Sequence, residues 1–171
     1  MSSNPTVLVG GQLKRWRVVM VAIGVLGYGL DQWTKAGAVA RLDPYDPPSW
    51  FGGFLTLRLI RNPGAAFSMG STATVLISLF AIAMLIAVCV WGVPRARHRW
   101  SLIACGMLIA GVCGNLTDRI FRAPGPLRGH VVDFMSLPHF AVFNVADIFI
   151  TSTAILVVVV AVFGHHEDDA G

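Results

Sequence analysis

Long apolar runs alternate with short polar connections along this chain, and their spacing predicts a bundle of membrane-spanning helices. A helix rises 1.5 Å per residue, so crossing a hydrocarbon layer about 30 Å thick takes about 20 mostly apolar residues. Four stretches meet that length: 18–39, 72–93, 100–118 and 147–163. The second and fourth are clean, and the fourth contains Val157 to Val160 in succession. The first is interrupted by Asp31 and Lys35, and the third ends on Asp118 and Arg119. Ionisable groups at that depth are expensive and mark functional positions. Residues 50–61 alternate loosely, which suits a short strand, and 130–134 form a second β-like run. Backbone that leaves a helix near the membrane must pair its polar groups, and a small sheet on the bilayer achieves this. The expected fold is an all-α membrane protein. It has four transmembrane helices and a small extracytoplasmic β-element between helices 1 and 2, all in a single domain, 1–171.

Basic residues set the expected orientation. Lys14, Arg15 and Arg17 flank the first span, and Arg95, Arg97 and Arg99 occupy the tight connection after the second. Such clusters favour the cytoplasmic side. The arm 1–17 and the tail 164–171 are then cytoplasmic, and the loops near 40–71 and 121–144 face outward. Arg41, Arg58, Arg61, Arg122 and Arg128 in those loops make the bias moderate. A cleaved leader ending at Ala38-Val39-Ala40 is the competing reading of span one. The charges Asp31 and Lys35 before that point, and the long arm, argue against it.

Composition sharpens the membrane reading. Hydrophobic residues make up 55% of the chain and charged residues 13%, and mean hydropathy is +0.68. A soluble domain carries roughly a quarter charged residues, so a water-soluble monomer is excluded. The net charge of +4 does not point to nucleic acid, because the cations flank apolar runs and form no aromatic-interleaved stripe. Cys89, Cys105 and Cys113 lie inside apolar runs without CxxC spacing and read as small buried hydrophobes. No nucleophile elbow, zinc-protease helix or phosphate loop occurs, and His130, Asp133 and His139 form no compact ligand set. No cofactor or metal is expected.

Of nine acids, Glu167, Asp168 and Asp169 lie in the tail, and Asp43 and Asp46 lie in a Pro-rich stretch. Asp31, Asp118, Asp133 and Asp147 remain, in or beside apolar segments. Asp31 and Lys35 are four apart, the better order for an ion pair on one helical face, and read as scaffold. Asn115, Asp118 and Arg119 share a face by i, i+3 and i, i+4 spacing, with Gly111 and Gly114 marking close packing. Asp118 beside Arg119 reads as a mutually neutralising structural pair. Asn62-Pro63-Gly64-Ala65-Ala66-Phe67-Ser68 is compatible with a helix-entry turn capped by Ser68 or Ser71. Asp133 and Asp147 have no cation within four residues. Brought together, they would share one proton, the state an aspartic hydrolase uses. Paired acids in a bundle also serve proton-coupled transport. Asn144 caps the fourth span or orients Asp147.

In order along the chain, five motifs resemble the lipoprotein signal peptidase family, the type II signal peptidases of bacteria. They are Asp31-Gln32-x-x-Lys35, Asn62-x-Gly64-Ala65-Ala66-Phe67, Gly114-Asn115-x-x-Asp118-Arg119, Val131-Val132-Asp133-Phe134 and Phe143-Asn144-x-Ala146-Asp147. The resemblance implies a four-helix aspartyl endopeptidase of the bacterial cytoplasmic (inner) membrane, with both termini cytoplasmic and the active site at the outer leaflet. It implies a prolipoprotein substrate carrying diacylglycerol on a cysteine, cleaved just before that cysteine, membrane lipids as surroundings, and inhibition by globomycin. By motif position the catalytic pair is Asp133 and Asp147. Asp31, Lys35, Asn62, Gly64, Asn115, Asp118, Arg119, Asn144 and Ala146 support the site or contact substrate. The chain departs from the family pattern at Ile148, where Ser is frequent, in a long 122–129 segment and in a short 133–143 linker. The competing functions are a small proton-coupled transporter using Asp31 and Asp147, and a non-enzymatic assembly protein.

Overall fold

The computed structural model describes residues 7–64 and 70–163. Ala65, Ala66, Phe67 and Ser68 of the second motif lie outside the described residues, as do Glu167, Asp168 and Asp169 of the tail. The elements are α1 (Gly10–Arg41), β1 (Ser49–Trp50), β2 (Leu55–Asn62), α2 (Gly70–Ala87), α3 (Val93–Arg95), α4 (Arg99–Phe121), β3 (Val131–Ser136) and α5 (Val145–Phe163). A π-turn, Val88–Gly92, joins α2 to α3. It ends two residues before Pro94, which has no N–H to donate and would crowd the carbonyl four residues back in a regular α-helix.

Among the described residues, three helical rods are long and apolar enough to cross a membrane: Thr72–Arg95, Arg99–Phe121 and Val145–Phe163. Helix α1 has 32 residues and is about 48 Å long. It includes the basic stretch Lys14 to Arg17 as well as Asp31 and Lys35, so by composition it stands apart from the other three.

Helix α4 is the hub. It buries Leu102, Ala110, Gly111, Gly114 and Asp118, while α2 and α5 turn Leu76, Phe80, Ile155 and Val158 outward. Lipid tails are as apolar as these side chains, so helices associate through close backbone approach at small residues. A Cβ on Gly106 would lie 2.6 Å from the Met20 carbonyl of α1, and one on Gly111 would lie 2.6 Å from the Ala146 carbonyl of α5. Neither obstacle is a flexible side-chain end. Gly111→Ala should therefore destabilise the protein by roughly 1–3 kcal/mol, read as a lowered melting temperature in detergent. Gly37→Ala, where a Cβ meets nothing within 4 Å, should lower it not at all.

The three strands form one antiparallel sheet in the order β1-β2-β3. The β-element is thus not confined to the connection between the first two long helices, because β3 joins it from the α4–α5 connection. Two-residue β1 could not pair the eight residues of β2 unaided. Asn62 pairs with Val131 and Ile60 with Asp133, with an irregularity between Leu57 and Ile60. Side chains alternate across a strand, so Val132 and Phe134 enter an apolar cluster with Ala38, Leu42, Leu57 and Leu59. Asp133 faces the other way. The sheet is anchored to the end of α1 by its apolar face and offers one carboxylate from its polar face.

Candidate active site

Asp133 is 2% exposed and accepts two amide donors. Asn62 Nδ2 reaches Oδ2 at 2.8 Å, and Asn144 Nδ2 reaches Oδ1 at 2.6 Å. The first contact follows from register: Asn62 is opposite Val131, so its side chain lies diagonally across from Asp133 on the same face. The second follows from a chain reversal. Phe143 exchanges backbone hydrogen bonds with Met135, and Phe134 N–H also donates to its carbonyl, which holds Asn144 against β3. Burial raises the Asp133 carboxyl from 3.8 to about 6, against the lowering effect of its Asn62 and Asn144 donors.

Asp147 occupies the first turn of α5, and its position comes from a reciprocal helix cap. Asn144 Oδ1 accepts from the Asp147 N–H at 3.1 Å, and Asp147 Oδ2 accepts from the Asn144 N–H at 3.1 Å. This is the capping-box exchange, with Asp at the third helical position. Asp147 Oδ1 accepts from Asn115 Nδ2 at 2.8 Å. Asn144 therefore both caps the helix and orients the acid, and it links the two carboxylates, its side-chain Nδ2 donating to Asp133 and its backbone N–H to Asp147.

Beneath this pair lies a buried charge network. Lys35 Nζ donates to Asp31 Oδ2 at 2.9 Å, to Asp118 Oδ2 at 3.0 Å and to Asn115 Oδ1 at 2.9 Å, which uses all three ammonium hydrogens. Asp31 Oδ1 accepts the Ala146 N–H at 2.9 Å. Ala146 is fully buried, and a Cβ on Gly114 would meet Asp31 Oδ2 at 2.5 Å. These two small residues let α1, α4 and α5 converge. The expected ion pair of Asp31 with Lys35 is present. The expected pairing of Asp118 with Arg119 is replaced: Asp118 is bound by Lys35 and by Arg122. Successive helical residues point about 100° apart, whereas positions 118 and 122 share a face. Asp118 Oδ2 also accepts the Val132 N–H at 3.1 Å, tying α4 to β3. The expected common face of Asn115, Asp118 and Arg119 splits accordingly.

Arg119 instead turns toward the acid pair. Its Nη1 donates to the Pro63 carbonyl at 3.2 Å, and it lies within electrostatic reach of Asp133, Asp118 and Asp147. Gly64 makes room for it. At φ +78 its own N–H turns back to Asn62 Oδ1 at 2.7 Å, and a Cβ there would lie 2.5 Å from Arg119 Nη2. Two supporting residues escaped sequence reasoning. Arg122 was detectable from its i, i+4 spacing to Asp118. Gln32, which donates to Asp31 Oδ2 and to the Gly114 carbonyl, stands in the first motif but is given no role by its spacing. No set of three His, Cys, Asp or Glu side chains able to hold a metal occurs among the described residues.

Two carboxylates, each fixed by amide donors at the mouth of an apolar bundle, can activate water against a carbonyl. Residues 21–163 match the family model described as signal peptidase (SPase) II. The chain belongs to the signal peptidase II family. The lipoprotein signal peptidase of Mycobacterium tuberculosis (strain ATCC 25618 / H37Rv) is 42% identical over 153 residues, 90% of this chain and 75% of that protein. The lipoprotein signal peptidase of Rhodococcus jostii (strain RHA1) is 43% identical over 152 residues, 89% of this chain and 76% of that protein. A bacterial membrane enzyme solved by the in meso method shares the fold, with a TM-score of 0.75 and 26% identity, covering 92% of this chain and 97% of that one. A second such structure gives a TM-score of 0.74 at 25% identity, over 95% and 94%. As a signal peptidase II, the chain is an integral membrane protease of the aspartic type, and nothing in these relatives supports the transporter reading.

Proposed function

We propose that this signal peptidase II cleaves diacylglyceryl-modified prolipoproteins just before the lipidated cysteine, with Asp133 and Asp147 as its catalytic pair. The observation that carries the assignment is the Asn144 bridge, which touches both carboxylates and nothing cationic. Asp31, Lys35 and Asp118 lie one step back, joined to the pair through Lys35 and Asn115, and act as support. In this reading α1 and the three apolar rods make four crossings, both termini are cytoplasmic, and the acid pair opens at the outer leaflet. A diacylated substrate is confined to the bilayer, so its scissile peptide is delivered to an acid pair at the membrane boundary without a deep aqueous pocket.

The chemistry follows from one proton held between two acids. Ionised Asp147 takes a proton from water as its oxygen adds to the scissile carbonyl, while protonated Asp133 donates to the carbonyl oxygen. The tetrahedral diol collapses as one hydroxyl returns its proton to Asp133, the C–N bond breaks, and the cysteine nitrogen leaves with the proton that Asp147 took from water. Arg119 and Asn62 supply donors beside the site.

The test is conversion of a diacylglyceryl-modified precursor, followed by gel shift across pH with and without globomycin. Cleavage should be blocked by globomycin. Because burial pushes the Asp133 carboxyl up to about 6, kcat/KM should fall as pH rises through about 6, where Asp133 loses the proton it must donate. Bound substrate excludes water and raises the carboxyl further, so the falling limb of kcat should lie at higher pH than that of kcat/KM. A kcat/KM that rises through pH 6 would refute the assignment of the shared proton to Asp133.

A further inference from the structure

The end of the bundle away from the carboxylates gathers six cations. Lys14, Arg15 and Arg17 lie in the first turns of α1, and Arg95, Arg97 and Arg99 run from α3 into α4. The acids among the described residues are Asp31, Asp43, Asp46, Asp118, Asp133 and Asp147, all toward the other end.

Packing brings the two basic groups together. Leu8 N–H donates to the Arg97 carbonyl at 2.7 Å. Leu13 and Met20 of α1 share a buried cluster with Ala96 and Leu102, with Trp16 and Val93 packed against it. Arg17 lies four residues after Leu13 and three before Met20, so it emerges on the stripe of α1 that enters this cluster. Its Nε is shielded from solvent and meets no hydrogen-bond partner, the one side-chain nitrogen or oxygen in that condition among the described residues. A shielded guanidinium donor left unmade is costly, so a missing acceptor is the economical explanation.

The chemistry of that acceptor is specified. Nε and the adjacent Nη present a two-pronged edge that matches two oxygens of a phosphate. Surrounding cations favour net negative charge and disfavour a choline headgroup. Val18 and Val21 of α1 and Trp100 of α4 are exposed nearby and suit acyl chains, which a free anion lacks. Trp16 and Trp100 lie in the same region, with Arg99 5.1 Å from the Trp100 ring, as in a headgroup layer. We propose that Arg17 anchors a site for one anionic phospholipid, its phosphate diester on the guanidinium edge and Lys14, Arg97 and Arg99 around it. The site is remote from the acid pair and independent of the catalytic assignment.

Native mass spectrometry of the full chain in mild detergent tests this, with phosphatidylglycerol titrated beside phosphatidylcholine and inorganic phosphate. Phosphatidylglycerol should bind about tenfold or more tightly than phosphatidylcholine, and Arg17→Gln should lose about that factor. Arg17→Lys should lose most of it, because it keeps charge without the fork. Arg15→Gln should stay within about twofold. Equal binding of the two lipids, an unaffected Arg17→Gln, or competition by inorganic phosphate as strong as by phosphatidylglycerol would overturn the site. So would a gain of about tenfold on deleting residues 165–171, which would make the acidic tail the occupant. Should Arg17→Gln not fold, the double variant Lys14→Gln/Arg97→Gln must lose the lipid preference, and its retention would overturn the proposal.

Discussion

Asp133→Asn and Asp147→Asn should each yield a folded protein that cleaves a diacylglyceryl-modified precursor at least about a thousandfold more slowly than the parent, within the range lost when a positioned acid or base is removed. Asn keeps the shape of Asp but can neither take a proton from water nor release one to the carbonyl. The two variants should differ in stability. Burial raises the folded-state pKa of Asp133, so the folded chain binds more protons than the unfolded one between the usual carboxylate range and about pH 6. Its favourable share is complete at low pH and is lost as pH rises through that window. Asp133→Asn removes this dependence, so its melting temperature should no longer fall with rising pH through that window, although the new NH2 faces the Nδ2 of Asn62 or Asn144. Asp147→Asn forfeits a carboxylate that accepts the Asn144 N–H at the start of α5 and should melt somewhat lower. Single-turnover cleavage and thermal melts in detergent check both statements. Parent-like cleavage by either variant would sink the catalytic assignment.

Lys35→Met should be the most damaging single change outside the acid pair, costing about 3–5 kcal/mol or preventing accumulation of folded protein. The ammonium is fully buried and holds Asp31 and Asp118, which are 0% and 1% exposed. Without it, two carboxylates remain in an apolar interior, with only Arg122 at Asp118 to offset them. The triple variant Asp31→Asn, Lys35→Met, Asp118→Asn should recover much of the loss, because it removes the uncompensated charge along with its partner. Melting temperatures of the two variants separate lost attraction from stranded charge. A triple variant as unstable as Lys35→Met would show that geometry, not charge, was lost.

Much of this site is legible along the chain because charge is scarce in it. Among so few ionisable residues, Asp31 and Lys35 stand out at i, i+4 spacing and do form the ion pair that spacing suggests. The polar character of Asn144 just before an apolar run likewise marks a cap. What spacing could not supply is pairing across elements. The partner of Asp118 depends on how far α4 rotates against α1, and the adjacent Arg119 was a poorer guide than Lys35, which is 83 positions away. The third strand could be seen as a β-like run, but its attachment to β2 depends on a register that 68 intervening residues, from 63 to 130, do not encode locally. Glycines 111 and 114 read correctly as close-packing positions, though only tertiary structure shows that one faces a carbonyl and the other a carboxylate.

The start of α5 has a consequence for how this enzyme fails. Its first amides are taken by Asp31 and by the exchange between Asn144 and Asp147, so the groups that hold the helix end closed are those that set the acid in place. Fraying of one turn releases Asp147 from Asn144 and Asn144 from Asp133 together. Loss of chemistry on heating or in harsh detergent should therefore precede loss of helical content and coincide with loosening of that single turn. Activity that instead fell in step with total helical content would place the limit in the bundle as a whole.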